Sequence, residues 1–470
     1  MDDDARARGI SVIVPTGAIG AGIKAEHIAA GIAAGGIAIA SDAGSTDSGP
    51  SYLARGVSKW NREAVKRDLE VLMIAGARAS IPVLIGSCGT SGSDAALDWT
   101  RDIAVEIARE QGLTPKIAVI YSEQDPARIK QKLSEGAITA LPPSDPIDEA
   151  LIDKCDHIVA LLGPEPYIAV LEAGATIVLG GRTTDTAVLA AVPLMHGAGA
   201  GPAWHAAKTA ECGGVCTVQR GQGGVLMTVF DTAFEIEPLA ATNQCTVESV
   251  AAHMLYENSD PYRLIEPGGV LDVTDAVYSQ INARRVSVTG SRWDTKPYTM
   301  KLEGAGGGPY QTTSLVGIED PKVLAELDLF HDRLHAGMCE RIAQTFGAEA
   351  GEYDVSLRIY GWNAVSGRKR PAGAAIPHEV GVLVVITAAT QDLATRMSKT
   401  CNPTLFHFPL SPELPQPSYG FAFTPAETEQ GQVFRFYLNH VVATADGHEL
   451  VRTEWIDLST KLEMKESIDA

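Results

Sequence analysis

The chain has 470 residues, 45% hydrophobic and 20% charged, with 38 Lys and Arg against 58 Asp and Glu for a formal net charge of −20. That length exceeds one ordinary hydrophobic core and that composition excludes a disordered polymer. The acidity opposes attachment to phosphate backbones or anionic lipid, so neither nucleic acid nor a membrane is an expected partner.

The first 190 residues repeat one unit, an apolar strand-like run that breaks into a patch of Gly, Ser, Thr and Asp and continues as a helical pattern. The runs are Ile10–Val14, Ile37–Ala40, Ile81–Ile85, Ile117–Tyr121, His157–Leu162 and Thr176–Leu179. Between them Lys59–Arg78 places Val65, Leu69, Leu72 and Met73 on one stripe, and Leu97–Gln111 does the same with Ile103, Ile107 and Ala108. Strand then helix, six times over, predicts an α/β fold with a doubly wound, mostly parallel sheet. Beyond about residue 220 the texture turns to mixed β, then to a long helical stretch at Lys322–Phe346 and a smaller α+β unit. The expected domains are 1–220, 221–320 and 321–470.

An open parallel sheet binds ligands outside the carboxyl ends of its strands, so the six polar tips are expected to form one site. The first tip, with glycines at 17, 20 and 22, lacks both the GxGxxG spacing and a following Gly-Lys-Ser/Thr. The second carries Asp42 and Asp47 amid hydroxyls, a pattern suited to acid/base work or to a solvated turn. In the third, Gly86 to Ser91, backbone amides with Ser87 and Ser91 can face an oxyanion, and Cys88 lacks a partner base. The fifth holds Glu165. In the sixth, Arg182 beside Thr183 and Asp185 suits capture of a carboxylate, or an internal ion pair. His205, Lys208 and Glu211 follow at three-residue spacing, offering His205 and Glu211 as general acid/base groups but no metal-site signature. No metal is expected. His253, among apolar neighbours, reads as a satisfied core histidine. The glycine-rich stretch Lys301–Tyr310 reads as a lid or CoA-contacting loop, with Lys301 a substrate ligand.

Several blocks in one order resemble the acyclic terpene utilisation AtuA family: Ser41-Asp-Ala-Gly-Ser-Thr-Asp-Ser-Gly-Pro50, Gly163-Pro-Glu-Pro166, Gly181-Arg-Thr-Thr-Asp185, Ala203-Trp-His-Ala-Ala-Lys208 and Leu264-Ile-Glu-Pro-Gly-Gly269. The resemblance implies a role in breakdown of citronellol- and geraniol-type compounds, where cleavage of a branched 3-hydroxy-glutaryl-type CoA thioester is the suggested step. Joined to the tip chemistry, it gives the expectation of a lyase acting on a branched hydroxy acid or its CoA thioester, the alternatives being a nucleotide- or CoA-binding subunit and an NAD-dependent dehydrogenase. The expected partners are a small anionic substrate, with CoA as part of it where a thioester is used, and further copies of the chain. Seven cysteines without a CxxC pair and the acidic start Met1-Asp-Asp-Asp4 fit a cytoplasmic setting.

Overall fold

The computed structural model describes residues 9–256, 258–368, 371, 373–414 and 416–458. They form two units: one runs to Gly306 and resumes at Arg435, and the other is Gly307–Phe434. The expected breaks near 220 and 320 therefore do not divide the chain. The strands after residue 220 return to the first sheet, and the second unit is an insertion bounded within the long strands Thr299–Ile318 and Glu427–Ala443.

The first unit is built on a ten-stranded mixed sheet. Its centre is parallel, in the order Ile10–Val14, Ala38–Asp42, Val83–Gly86, Ile177–Gly180 and Lys116–Tyr121. Val225–Val229 joins antiparallel beside Ile10–Val14, and Arg452–Asp457 joins antiparallel beside Lys116–Tyr121. The expectation of a mostly parallel sheet thus holds for the five central strands alone. His157–Ala160, the fifth expected run, lies outside this sheet and pairs antiparallel with Leu302–Ala305.

Alternation decides the packing, because successive strand residues face opposite sides. Val12, Val14, Ala38, Ala40, Leu84 and Val178 enter one core with Tyr167, Val188 and Ala207 from the helices Glu165–Glu172, Ala187–Met195 and Ala200–Ala210. Ile13, Ile39, Val83, Ile85 and Leu179 enter the other with Ile28, Leu69 and Ile103 from Ala25–Ala33, Arg62–Ala79 and Asp94–Gln111. Asn61 starts the Arg62–Ala79 helix by accepting from the Ala64 amide at 2.8 Å.

In the second unit Tyr353–Tyr360, Val380–Ala388 and Tyr310–Ile318 form an antiparallel ladder. Val382, Ile386 and Val355 pack with Phe330, Leu334, Met338 and Met397 of the helices Leu327–Phe346 and Gln391–His407. The stretch Lys301–Tyr310, expected as a loop, is strand throughout. Its glycines allow close approach: a Cβ at Gly306 would stand 1.9 Å from the Lys154 carbonyl oxygen. Among the described residues no helix is long and apolar enough to cross a membrane.

Candidate functional site

Four central strands end around one small cavity of about 130 Å³, lined among others by Gly17, Asp42, Ser45, Lys59, Thr90 and Asp185. Two close approaches bring the tips together. A Cβ at Gly17 would lie 2.7 Å from Cys212 Cα, and one at Gly92, whose φ is +64°, would lie 2.0 Å from the Arg182 nitrogen. The loop after Val83–Gly86 also holds Ser87 at φ 44° and Thr90 at φ 81°. Left-handed backbone at non-glycine residues costs on the order of 1–3 kcal/mol each and persists only where surrounding contacts impose it.

Charge is concentrated behind this cavity. Buried Arg182 donates from Nε to Glu303 Oε2 at 3.0 Å and from Nη1 to Ser87 Oγ at 3.1 Å, the Thr183 carbonyl at 3.1 Å and Asp185 Oδ1 at 3.3 Å. Lys301 Nζ donates to Glu303 Oε1 at 2.8 Å, and Thr46 Oγ1 donates to Glu303 Oε2 at 2.9 Å. Burial opposes the ionised Glu303 carboxyl, but Arg182 and Lys301 overcome it and hold the group at about 2. Lys208 pairs with Glu211, both buried, and Thr186 Oγ1 donates to buried Glu266 at 2.8 Å.

Against three cations, Arg182, Lys208 and Lys301, stand five carboxyl groups, Asp42, Asp185, Glu211, Glu266 and Glu303. They cannot all ionise cheaply. Burial and the neighbouring Asp185 push Asp42 well up. Burial raises Asp185 against the pull of Arg182, and raises Glu211 against the pull of Lys208. Burial lifts Glu266 to about 7. At Asp42, Oδ2 accepts from the Gly44 amide at 3.0 Å, while buried Oδ1 has no hydrogen bond of good geometry, the nearby Ser87 hydroxyl offsetting the effect of burial only in part.

The family model of acyclic terpene utilisation family protein AtuA matches residues 24–217 and 232–436. The chain belongs to the acyclic terpene utilisation AtuA family. No curated protein and no solved structure matches it significantly.

In this AtuA-family chain Asp42 and Asp185 line the cavity together. Asp47 sits on the exposed neighbouring turn, accepting from Ser45 Oγ at 2.6 Å. Arg182, Ser87 and Thr183 stand behind the wall rather than on it. Arg182 is committed to internal carboxylates, and Thr183 Oγ1 binds the Gly181 carbonyl and the Tyr167 hydroxyl. Ser91 is buried with its hydroxyl 3.5 Å from Ser93 Oγ. The Ser87 and Cys88 amides already donate to the Gly181 and Gly180 carbonyls, so they do not form the expected oxyanion nest. Burial drives the Cys88 thiol far up, away from nucleophilic use.

Glu165 belongs elsewhere, accepting from the Tyr298 hydroxyl at 2.5 Å. Lys301 serves Glu303. His205 is fully buried, its Nδ1 2.8 Å from Ser291 Oγ and its Nε2 3.2 Å from the Tyr278 hydroxyl, and burial lowers it to about 3. Helical geometry explains the separation: at 3.6 residues per turn, a six-residue step leaves His205 and Glu211 about 120° apart around the axis. Glu211 pairs with Lys208 instead. His253, expected to be satisfied, is buried with neither ring nitrogen hydrogen-bonded.

Neither Lys59, on the cavity, nor Glu266, behind it, is singled out by the sequence pattern, whereas Thr90 lies within the expected third tip. Lys59 is exposed at the cavity, its Nζ donating to Ser48 Oγ at 2.7 Å, and its amide donates to Thr90 Oγ1 at 3.1 Å. The first tip shows what its glycines do. Buried Asp68 accepts from the amides of Gly20, Gly22 and Ile23 at 2.9, 2.8 and 3.1 Å. A carboxylate of the chain thus takes the donors that a nucleotide phosphate would need.

Proposed function

We propose that the strand-tip cavity is an acid/base site and that the protein is a lyase acting on a branched hydroxy acid or its CoA thioester. The observation that carries this reading is Asp42, a buried carboxyl at the cavity with one oxygen lacking a hydrogen bond of good geometry and its pKa raised by burial and Asp185. A carboxyl of raised pKa is the stronger base once ionised. Family membership is consistent with that substrate class, since terpene skeletons leave branched acids. A tertiary alcohol cannot be oxidised to a ketone without losing a carbon–carbon bond. Its breakdown therefore calls for a base at the hydroxyl.

In that step Asp42 takes the hydroxyl proton, the C–O bond becomes C=O, and the C–C bond pair leaves on the carbon next to the acyl carbonyl as an enolate. The proton then returns from Asp42 to that carbon. Lys59, the cation on the cavity itself, holds the substrate carboxylate, a role sequence alone gave to Arg182. The cavity is small against the roughly 300–1,000 Å³ of pockets for drug-sized ligands, so it takes the reacting end and leaves the remainder outside. Occupation of the first-tip amides by Asp68 speaks against the nucleotide-binding and dehydrogenase readings.

The test is turnover of a panel of branched 3-hydroxy acids and their CoA thioesters. Asp42→Asn is expected to lower kcat by about 10²–10⁴-fold. Lys59→Met is expected to raise KM with kcat retained. Full activity of Asp42→Asn removes the proposed base, and calorimetric binding of acyl-CoA, NAD or ATP without turnover of any panel member replaces the lyase with a binding subunit.

A further inference from the structure

Behind the Gly17 wall of the cavity, Glu211, Cys212 and His253 offer a carboxylate oxygen, a sulfur and an imidazole nitrogen that all lie within 4.8 Å of one another. Among the described residues this is the one group of three such donors. We propose that it is a binding site for a borderline transition-metal dication of the zinc type. The inference stands apart from the lyase reading, which needs no metal.

The decisive residue is His253. Its side chain is 1% exposed, yet neither Nδ1 nor Nε2 has a hydrogen-bond partner. A buried polar atom left unpaired carries its full desolvation penalty, so two on one ring call for a missing partner. Nε2 stands 4.0 Å from Glu211 Oε1. A hydrogen bond does not span that gap, but a metal ion would draw the two atoms in, to ligand distances of about 2.0–2.2 Å and a separation of roughly 3.4 Å in a tetrahedral set.

The fold delivers this ring deliberately. Thr246 and Ser249 cap each other at the start of the helix Val247–Ala251, and Ser249 Oγ also donates to the Cys216 carbonyl at 2.8 Å. That bond ties the turn Ala252–Leu255, which bears His253, to the loop that follows Cys212. Gly213, at φ +59°, lets the same loop press on Thr16.

The donor set selects the metal class. Thiolate and imidazole favour zinc-like ions over magnesium or calcium, which take oxygen ligands. Three protein donors leave one tetrahedral position open, the pattern of zinc sites that meet a substrate rather than of closed structural ones. Lys208 already contacts Glu211, so the carboxylate is shared between an ammonium and the ion.

The experiment is metal analysis and cobalt substitution of the full chain. Protein dialysed against zinc and then against metal-free buffer is expected to retain one zinc per chain. With Co²⁺ it is expected to show a thiolate-to-metal charge-transfer band. Cys212→Ser should abolish that band, and His253→Gln should weaken binding by more than about 100-fold, beyond the 10–100-fold usual for outer-shell changes. Far-ultraviolet circular dichroism of both variants, matched to the parent, separates ligand loss from misfolding, and Glu211→Gln gives a third variant if either fails to fold. Absence of retained zinc and of the cobalt band in the parent, or parent-like binding by folded Cys212→Ser and His253→Gln, would overturn the site. Because none of these readouts is turnover, the outcome is independent of whether Asp42 is a base.

Discussion

Arg182 illustrates how a residue of the right type in the right place can serve a different end. Its side chain is 6% exposed, and its Nε and Nη1 donate to Glu303, Asp185, Ser87 and Thr183. Removing one member of a buried ion pair strands the other, at a cost of about 3–5 kcal/mol, whereas replacing both by apolar groups is often neutral. Arg182→Met is therefore expected to destabilise the first unit by about 3–5 kcal/mol. The double variant Arg182→Met/Glu303→Met should recover most of that loss. Denaturant unfolding followed by tryptophan fluorescence measures it, since Trp60, Trp99, Trp204, Trp293 and Trp455 belong to that unit and only Trp362 to the other. Equal stability of Arg182→Met and the parent would return Arg182 to the role of a substrate ligand. The residue types were legible in the sequence, as was an ion pair of Arg182 with Asp185, but the partner Glu303 was not. Glu303 lies 121 positions from Arg182, in a stretch whose glycines read as a loop, and nothing local announces the pairing.

At the scale of elements, the first strand tip shows how glycine-rich turns can be closed from within. Gly20, Gly22 and Ile23 direct their amides at Asp68, which is itself fully buried on the helix Arg62–Ala79. The helix and tip are thereby locked together. Asp68→Ala should cost about 1–3 kcal/mol for each amide left unsatisfied, with Asp68→Asn less harmful because its carbonyl oxygen still accepts. The emptied amides form an anion nest, so inorganic phosphate should raise the Tm of Asp68→Ala more than that of the parent. A thermal melt of both proteins with and without phosphate checks this, and an unchanged Tm for Asp68→Ala in buffer would show that the carboxylate does not hold the turn. The same element explains what sequence could and could not deliver. The longer strands and helices up to residue 196 follow from apolar period and polar breaks, because those patterns record which face is buried, whereas the short pieces Ser51–Arg55, Ile138–Ala140 and Glu149–Ile152 do not. Pairing order does not. Ile177–Gly180 slips between Val83–Gly86 and Lys116–Tyr121, and His157–Ala160 leaves the sheet for Leu302–Ala305. Those choices rest on contacts remote in sequence, as does the approach of His253 to Glu211.

Across the whole molecule, excess negative charge and buried carboxyl groups make stability a function of pH, with several groups pulling in opposite directions. Glu303 has a folded value of about 2 against an ordinary 4.5, so its contribution is present above 4.5 and is lost as pH falls toward 2. His205 and His253, lowered by burial to about 3 and about 4 from 6.5, likewise add stability as pH rises to 6.5, because only the unfolded chain binds their protons. Glu266 works the other way. Its folded value of about 7 lies above 4.5, so the folded chain keeps a proton that the unfolded chain has released, and stability is lost as pH rises from 4.5 through 7. A difference between variants isolates this one group from the histidines. Glu266→Gln retains a hydrogen-bonding amide beside Thr186 but no titration. Its stability relative to the parent should therefore rise between pH 4.5 and 7, by about 3 kcal/mol on the scale of 1.36 kcal/mol per pKa unit. Unfolding curves at pH 4.5, 6, 7 and 8 measure that difference. A difference that stays flat across the series would mean that Glu266 ionises normally, and that Lys208 and the surrounding hydroxyls offset its burial in full.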